Sequence, residues 1–554
     1  RERIPETYEG VGNVVEPMGQ WLRAGVGSLW WILMSGVVLV LLIGCANLAN
    51  LLLSRGTNRR AEFAVRKALG AGEGRLVRQA LTESVVLAVG GGALGILVGA
   101  LLLDLLLAWM PGGVPRAESV GIDPGILVFT LGVSVAAGLL FGTLPALRAR
   151  RDVIGPRLRR GGRTDRASRA LVAAEVAMAV ILLAAAGLMA RSFLALKAEN
   201  PGIATRDRLV FPVSLPDERP AEARQAFFRD LEARLETLPG VASAGVVSTL
   251  PVVDFTPGAW VNEPGATHEG SDRPGAKYQV VSPGYFETAG LELLRGRLLT
   301  RDDGVGGTPS VLVSQAAAEE LFPGEDPIGK RFDLGLEGDI APLSTVVGMV
   351  GDVKLNGLDE PAPGAVYAVQ ELIPWWRGYQ VVLRLEPGAP APAGVRDVVR
   401  GLDPDVPWLG VRRLDEVFVQ ALGGRRDTML LFGLLGLVAL VMAAVGVFGV
   451  LAYLVGRRTR EIGIRIAIGA DPGSVRAGVL RQGMVPVGGG ILVGLVATAG
   501  LGRFLQSLVF GVEPLDAPTL LGVTVLLAGV AAAAIYVPAL RASRVDPVRA
   551  LEVE

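Results

Sequence analysis

Glu461-Ile462-Gly463-Ile464-Arg465-Ile466-Ala467-Ile468-Gly469-Ala470 and, far earlier in the chain, Glu62-Phe63-Ala64-Val65-Arg66-Lys67-Ala68-Leu69-Gly70-Ala71 are two versions of one pattern, E-x-x-x-R-x-A-x-G-A. Further landmarks recur after each in the same order. Gly90-Gly91-Gly92 pairs with Gly488-Gly489-Gly490, Asp123 with Asp516, and Pro145-Ala146-Leu147-Arg148-Ala149 with Pro538-Ala539-Leu540-Arg541-Ala542. Landmarks that repeat in order mark an internal duplication, and the duplicated unit sets the fold.

The stretches flanking both decamers are apolar. The 554 residues are 51% hydrophobic with a mean hydropathy of +0.46, which excludes an ordinary soluble enzyme and implies segments in lipid. A span needs about 20 mainly apolar residues, since its backbone groups must bond within a helix. Seven segments qualify: 29–53, 84–109, 126–147, 170–193, 429–455, 484–505 and 519–540.

Orientation follows from the basic residues of the short loops, which cytoplasmic loops retain. Arg55, Arg59, Arg60, Arg66, Lys67, Arg75 and Arg78 follow the first span; Arg148, Arg150, Arg151, Arg157, Arg159, Arg160 and Arg163 follow the third. Arg457, Arg458, Arg460, Arg465, Arg476 and Arg481 follow the fifth, whereas 506–518 carries Glu513 and Asp516 and no basic residue. Alternation then places both decamers and the C-terminal tail inside, and the N-terminal tail and 194–428 outside.

The expected organisation is therefore 1–28 as the remnant of a first external domain and 29–147 as a first three-helix membrane domain with a cytoplasmic elbow at 54–83. A basic linker at 148–169 and an opening span at 170–193 lead into the external domain, 194–428. A second three-helix domain, 429–540, has its elbow at 456–483, and 541–554 is a cytoplasmic tail. The later half shows a whole unit of one span, external domain and three spans. The first half lacks its opening parts, which predicts another span and external domain ahead of Arg1.

Each elbow reads as a short helix. Glu461 and Arg465, like Glu62 and Arg66, stand four apart with the acid first, the favourable order along one helix face. Ile462, Ile464, Ile466 and Ile468 supply apolar positions, so the segment is polar on one side and adhesive on another. Gly469-Ala470 ends the helix, and Asp471-Pro472 reads as an N-cap with proline in the first turn of the next. Such an elbow can pack on its own bundle or receive a partner; its occurrence in both halves favours a partner.

These residues carry a resemblance. The two elbows, the P-A-L-R-A endings and Arg544-Val545-Asp546-Pro547-Val548-Arg549-Ala550-Leu551 resemble the FtsX/MacB-type ABC transporter permease superfamily. Val281-Ser282-Pro283-Gly284-Tyr285-Phe286, Leu294-Arg295-Gly296-Arg297 and Leu321-Phe322-Pro323-Gly324-Glu325-Asp326-Pro327-Ile328-Gly329-Lys330 resemble its MacB-type periplasmic core domain. The duplication is similar to that of double-length, acidobacterial-type orphan permeases. The resemblance implies a polytopic α-helical protein of the bacterial inner membrane with about seven spans in this chain and a mixed α+β periplasmic domain. It implies mechanotransmission, in which a separate cytoplasmic ATPase of the MacB or lipoprotein-release type works the periplasmic domain through the membrane helices. Glu62, Arg66, Gly70, Glu461, Arg465 and Gly469 would then lie on the ATPase-coupling elbows. ATP and magnesium would sit on that partner, with no cofactor, metal or catalytic residue in this chain. A periplasmic adaptor is a possible further partner. The alternative the family allows is an FtsX-like signalling scaffold that regulates a cell-wall hydrolase.

Other features read as structural. Equal numbers of acidic and basic residues, 54 each, give no excess charge for nucleic acid. One cysteine, Cys45, excludes an intramolecular disulfide, and one histidine, His268, argues against a His-based metal site. No charged n-region with a short apolar core and cleavage site opens the sequence. The spacing of Gly324 to Lys330 matches a phosphate-binding loop, but Arg331 stands where Ser or Thr should hold magnesium, so a turn is expected. Glu175 and Asp104 lie within spans, where acids are costly and mark ion paths or bond a neighbouring helix. Gly91, Gly95 and Gly99, with Gly490 and Gly494, have the spacing that permits close helix packing. In the external domain, 221–238 reads as an amphipathic helix and 241–248 and 345–350 as strands. Trp375, Trp376 and Trp408 are substrate anchors or packed aromatics. An intramembrane enzyme is disfavoured, since no nucleophile–base pair appears in any span.

Overall fold

The computed structural model describes residues 27–58, 73–109, 120–151, 161–216, 218–262, 274–304, 309–336, 339–340, 343–373, 376–502, 506 and 509–543. Two compact units divide them: one from 1–193 together with 426–554, the other 194–425.

The first unit is helical. In chain order its opening helices are α1 (Gly27–Asn58), α2 (Glu73–Trp109), α3 (Pro124–Arg151) and α4 (Gly161–Ala198). Apolar composition over this length leaves a helix as the one way to bond every backbone group in lipid. Trp30 and Trp31 stand at the start of α1, at the depth where amphipathic aromatics anchor a span.

The second unit is α/β. Its strands are β1 (Arg208–Ser214), β2 (Val241–Val247), β3 (Gly258–Asn262), β4 (Gly275–Val281), β5 (Leu293–Gly296), β6 (Ser310–Ser314), β7 (Arg331–Leu336), β8 (Asp339–Ile340), β9 (Ser344–Val350), β10 (Ala365–Val369), β11 (Gly378–Leu385) and β12 (Arg412–Arg413). Between them run α5 (Ala221–Glu236), α6 (Tyr285–Ala289), α7 (Gln315–Leu321), α8 (Val395–Leu402) and α9 (Leu414–Ala421). One sheet takes the order β10-β6-β9-β7-β3-β4-β2-β11-β1-β12, and a further parallel pairing of β10 with β4 closes six of these strands into a ring. β6 and β10 are buried at every residue, as short apolar runs covered on both faces must be. On the open arm, α5 lays Phe227, Phe228, Leu231 and Leu235 inward at helical spacing. Each fully buried side chain of this kind stabilises by about 1.5–3 kcal/mol.

The family-like motifs of this unit hold its corners. Ser282 Oγ accepts a hydrogen bond from Val246 N at 3.0 Å, and a Cβ at Gly284 would lie 2.6 Å from the Ala244 carbonyl oxygen. Gly296 takes a φ of 78°, and Arg297 donates to both oxygens of Asp303 at 2.6 and 2.7 Å. That guanidinium holds the Asp303 carboxyl well below the usual carboxylate range. Thr300 caps the short 3-10 turn at Arg301–Asp303, completing the corner. Trp376 donates its Nε1 hydrogen to Gly378 O at 2.6 Å, and Trp408 packs on Phe211, so both are packed aromatics. Trp375 and His268 lie outside the described residues.

The remaining helices return to the first unit: α10 (Gly423–Arg457), α11 (Thr459–Ala467), α12 (Pro472–Gly500) and α13 (Ala517–Ser543). Among the described residues six helices are long and apolar enough to cross a membrane; the seventh segment falls on α3, whose described apolar stretch, Pro124–Leu139, is shorter. Their seam buries Ile43 of α1, Val176 and Val180 of α4, Val447 of α10, Val487 of α12 and Ile535 of α13. The expectation that five glycines serve close packing is met at two of them. Cβ atoms at Gly490 and Gly494 would strike α4, but Gly91, Gly95 and Gly99 have nothing within 4 Å among the described residues.

Candidate functional site

The elbow of the second half is built by three changes of direction. α10 ends at Arg457, where Thr459 Oγ1 donates to the carbonyl oxygens of Val455 and Gly456 at 3.2 and 2.9 Å and closes the bend. α11 follows, with Glu461 Oε1 accepting from Arg465 Nη2 at 2.6 Å. Gly469 then adopts a φ of 97°; Ala470 N bonds Arg465 O at 2.9 Å and Gly469 N bonds Ile466 O at 3.0 Å. This is the left-handed helix ending that glycine makes without strain. Asp471 starts α12, its Oδ2 accepting from Ser474 N at 3.0 Å, with Pro472 in the first turn. Gly469 and Asp471 therefore fix the angle between α11 and α12.

The four isoleucines separate. Ile462 is buried, whereas Ile464 and Ile468 are 40% and 81% exposed beside the outward Glu461 and Arg465. An exposed ion pair of this kind is worth a few tenths of a kcal/mol. Arg458 Nη1 donates to Gln482 Oε1 on α12 at 3.3 Å, a tie 24 residues long that no local spacing signals. Glu461, Arg465 and Gly469 thus belong to one platform, while Glu62, Arg66 and Gly70 lie outside the described residues.

The phosphate-loop lookalike is a turn into β7. Gly324 and Gly329 take φ values of 78° and 84°, Gly329 N bonds Val346 O at 2.8 Å, and Lys330 N bonds Pro327 O at 3.1 Å. Lys330 pairs with Glu325, so its charge and these amides are engaged within the domain. Asp104 is exposed on α2, and Glu175 is buried against α1.

A polytopic helical unit with a bent, exposed elbow and a separate α/β unit define a permease-type membrane protein. The FtsX-like permease C-terminal model matches residues 34–154 and again 433–547, and the MacB-like periplasmic core domain model matches 176–400. The chain belongs to the FtsX/MacB-type ABC transporter permease superfamily, with its FtsX-like region present twice. It is 29% identical over 300 residues to the probable syringafactin export ATP-binding/permease protein SyfD of Pseudomonas syringae pv. tomato, covering 50% of this chain and 42% of that protein. It is 28% identical over 310 residues to the macrolide export ATP-binding/permease protein MacB of Neisseria gonorrhoeae, covering 51% and 44%. The chain thus spans less than half the length of these curated relatives. Superposition on the crystal structure of the periplasmic region of MacB from Actinobacillus actinomycetemcomitans gives a TM-score of 0.27 with 16% identity, over 39% of this chain and 92% of that one.

Proposed function

We propose that this chain is the permease subunit of an ABC-type mechanotransmission exporter, driven by a separate cytoplasmic ATPase that binds ATP and magnesium. The observation that carries the reading is the platform at 461–469, where a rigidly ended helix presents Ile464 and Ile468 beside an ion pair. An apolar patch with a charged border is the composition of a docking surface. Fixed between α10 and α12, the platform would pass a push from the ATPase to both helices. The second elbow, with Glu62, Arg66 and Gly70, would take the other side of the same partner. The basic residues of the short loops support a cytoplasmic side for both elbows and the C-terminus. Both relatives, SyfD and MacB, are named as export proteins, and export is the direction proposed here.

Co-purification from native membranes tests this. The full chain is compared with a version carrying Glu461→Arg and Arg465→Glu, which keeps the two charges four apart but exchanges their places. An ATPase recovered with the parent and lost from the variant is the expected result. If no ATPase accompanies either, the coupled-permease reading fails, and an FtsX-like scaffold acting on a periplasmic hydrolase becomes the model to test.

A further inference from the structure

Three helices converge on Glu175. The residue lies within the span of α4 and is fully buried, and its Oε1 accepts from Nδ2 of Asn50 on α1 at 3.1 Å. Its Oε2 has no hydrogen-bond partner among the described residues, and neither has Oδ1 of Asn50. One turn before Asn50, Asn47 donates Nδ2 to the Met442 carbonyl oxygen of α10 at 2.9 Å. A Cβ placed on Gly446 of α10 would fall on both Glu175 Oε2 and Asn47 Oδ1. Those two oxygens therefore face one small space, held open because residue 446 has no side chain.

The surroundings decide the charge state. Val172, Val176 and Ala179 of α4, Ile43 of α1, and Ala443 and Val447 of α10 form the buried seam. What the structure places at the carboxyl is neutral: Asn50 by its hydrogen bond, and Asn47 and Gly446 across the small space. Of the titratable groups on the helices packed here, Cys45 of α1, Arg169 of α4, Tyr453 and Arg457 of α10 and Arg481 of α12, none is hydrogen-bonded to it: Oε1 accepts from Asn50, and Oε2 has no partner among the described residues. An ionised carboxylate here would have one bond from a neutral amide and an acceptor oxygen facing another acceptor. Burying an uncompensated charge costs several kcal/mol. One proton on Oε2 removes both faults, because a protonated carboxyl gains an O–H donor.

We propose that Glu175 is a proton-binding site within the membrane. It is occupied at neutral pH, with the hydrogen on Oε2 donated to Asn47 Oδ1. One proton joins one carboxylate and no other bond changes. The neutral acid then ties α1, from the first half of the duplication, to α4 and α10 of the second. Release of the proton puts an unpaired negative charge into that seam and drives α1 from its neighbours or water into the gap.

Infrared difference spectroscopy of the full chain in lipid nanodiscs, wild type minus Glu175→Gln, tests the assignment from acid to alkaline pH. The expected result at neutral pH is a protonated-carboxyl C=O band in wild type that shifts in D2O and is absent from the variant. Glu175→Gln should melt with wild type, since an amide can donate to Asn47 and accept from Asn50, whereas Glu175→Ala should melt lower. A neutral-pH difference that contains only carboxylate bands overturns the proposal. Should Glu175→Gln fail to fold, wild type minus Asn47→Leu gives the same decision: the acid band must persist and move as it loses its acceptor. A variant that shows no acid band at either position is the contrary result.

Discussion

The two halves of the duplication use the same parts and pack them differently. In each, the span after the elbow pairs with the next, α2 with α3 and α12 with α13. Among the described residues, only α12 has a further helix seated on its glycine face. A Cβ at Gly490 would lie 2.5 Å from Ala173 O and 2.7 Å from Val176 Cβ, and one at Gly494 would lie 2.6 Å from Val180 Cβ and 2.8 Å from Ala177 O, all on α4. Counted from the elbow glycines Gly70 and Gly469, Gly91 and Gly95 stand where Gly490 and Gly494 stand, one place off the triple-glycine pairing that matches Gly92 with Gly490; nothing described approaches Gly91 or Gly95, and a Cβ at Gly92 would meet Ser134 of α3, the next span, at 2.8 Å. Burial follows: 33% of the most apolar stretch of α12 is buried, against 6% of that of α2. Close backbone approach, rather than hydrophobicity, distinguishes a packed span from a bare one, because lipid is as apolar as a neighbouring helix. α4 therefore organises the bundle, taking α12 on its glycine face and α1 through Asn50 and Glu175.

The largest effect should come from filling those glycines. Gly490→Ala and Gly494→Ala force a methyl against a carbonyl oxygen and a β-branched side chain that cannot move without its helix, a clash of the kind that costs about 1–3 kcal/mol. Gly91→Ala and Gly95→Ala meet open space and replace a poor helix former, so they should be neutral or stabilising by up to about 1 kcal/mol. Thermal unfolding of the four variants in nanodiscs reads the contrast. Equal losses in both halves would break the comparison and mean that another helix covers the face of α2.

Much of this was legible in the sequence. Span length, the repeat, the elbow and the amphipathic α5 all rest on local periodicity, which one chain displays. The elbow's ending was readable because Gly469 and Asp471-Pro472 act within a few residues of themselves. The partner of Glu175 was not, since Asn50 lies 125 residues away in the other half and shares no spacing with it. Nor could the glycines be sorted, as identical spacing on α2 and α12 says nothing of which helix has a neighbour. The ring of strands depends on the parallel β4–β10 pairing, equally remote. The Leu294-Arg295-Gly296-Arg297 motif was legible as a family mark only. Its physical reason, a left-handed glycine and an Arg297–Asp303 clamp, was partly signalled by Thr300 and Asp303 at capping-box spacing.

A smaller difference is expected at the outer helix starts. Asp123 caps α3, its Oδ1 accepting from Ile126 N at 2.7 Å, and Asp516 caps α13, its Oδ2 accepting from Thr519 N at 2.9 Å. Among the described residues only Asp516 of the two also has an ion pair, with Arg191 of α4, beside Ser192, whose Oγ accepts from Phe510 N at 2.8 Å. Hydrogen bonding from Thr519 first, and Arg191 less strongly, hold the Asp516 carboxyl below its ordinary range. Its contribution is thus complete above the usual aspartate pKa and is lost as pH falls through the depressed one. Asp123→Ala should cost about 1 kcal/mol, the worth of a cap, and Asp516→Ala about 1–2 kcal/mol. A double-mutant cycle with Arg191→Ala isolates the excess. No coupling between Arg191 and Asp516 would remove this part of the asymmetry.

The smallest stability effect, and the sharpest functional one, belongs to the elbows. Ile468 is largely exposed, and Leu69 occupies the matching place in E-x-x-x-R-x-A-x-G-A. Ile468→Asp removes no buried contact, so its melting temperature should stay within the shift that about 0.5 kcal/mol produces. If the platform docks an ATPase, the same change puts a charge where an isoleucine would be buried, and recovery of the ATPase should fall at least tenfold, or about 1.4 kcal/mol of binding. Leu69→Asp asks whether the halves are used alike. Equal losses from the two variants would mean that one ATPase assembly engages both elbows despite the unequal packing above them. A loss confined to Ile468→Asp would extend the asymmetry of the bundle to its coupling, leaving the half organised by α4 as the one that receives the stroke.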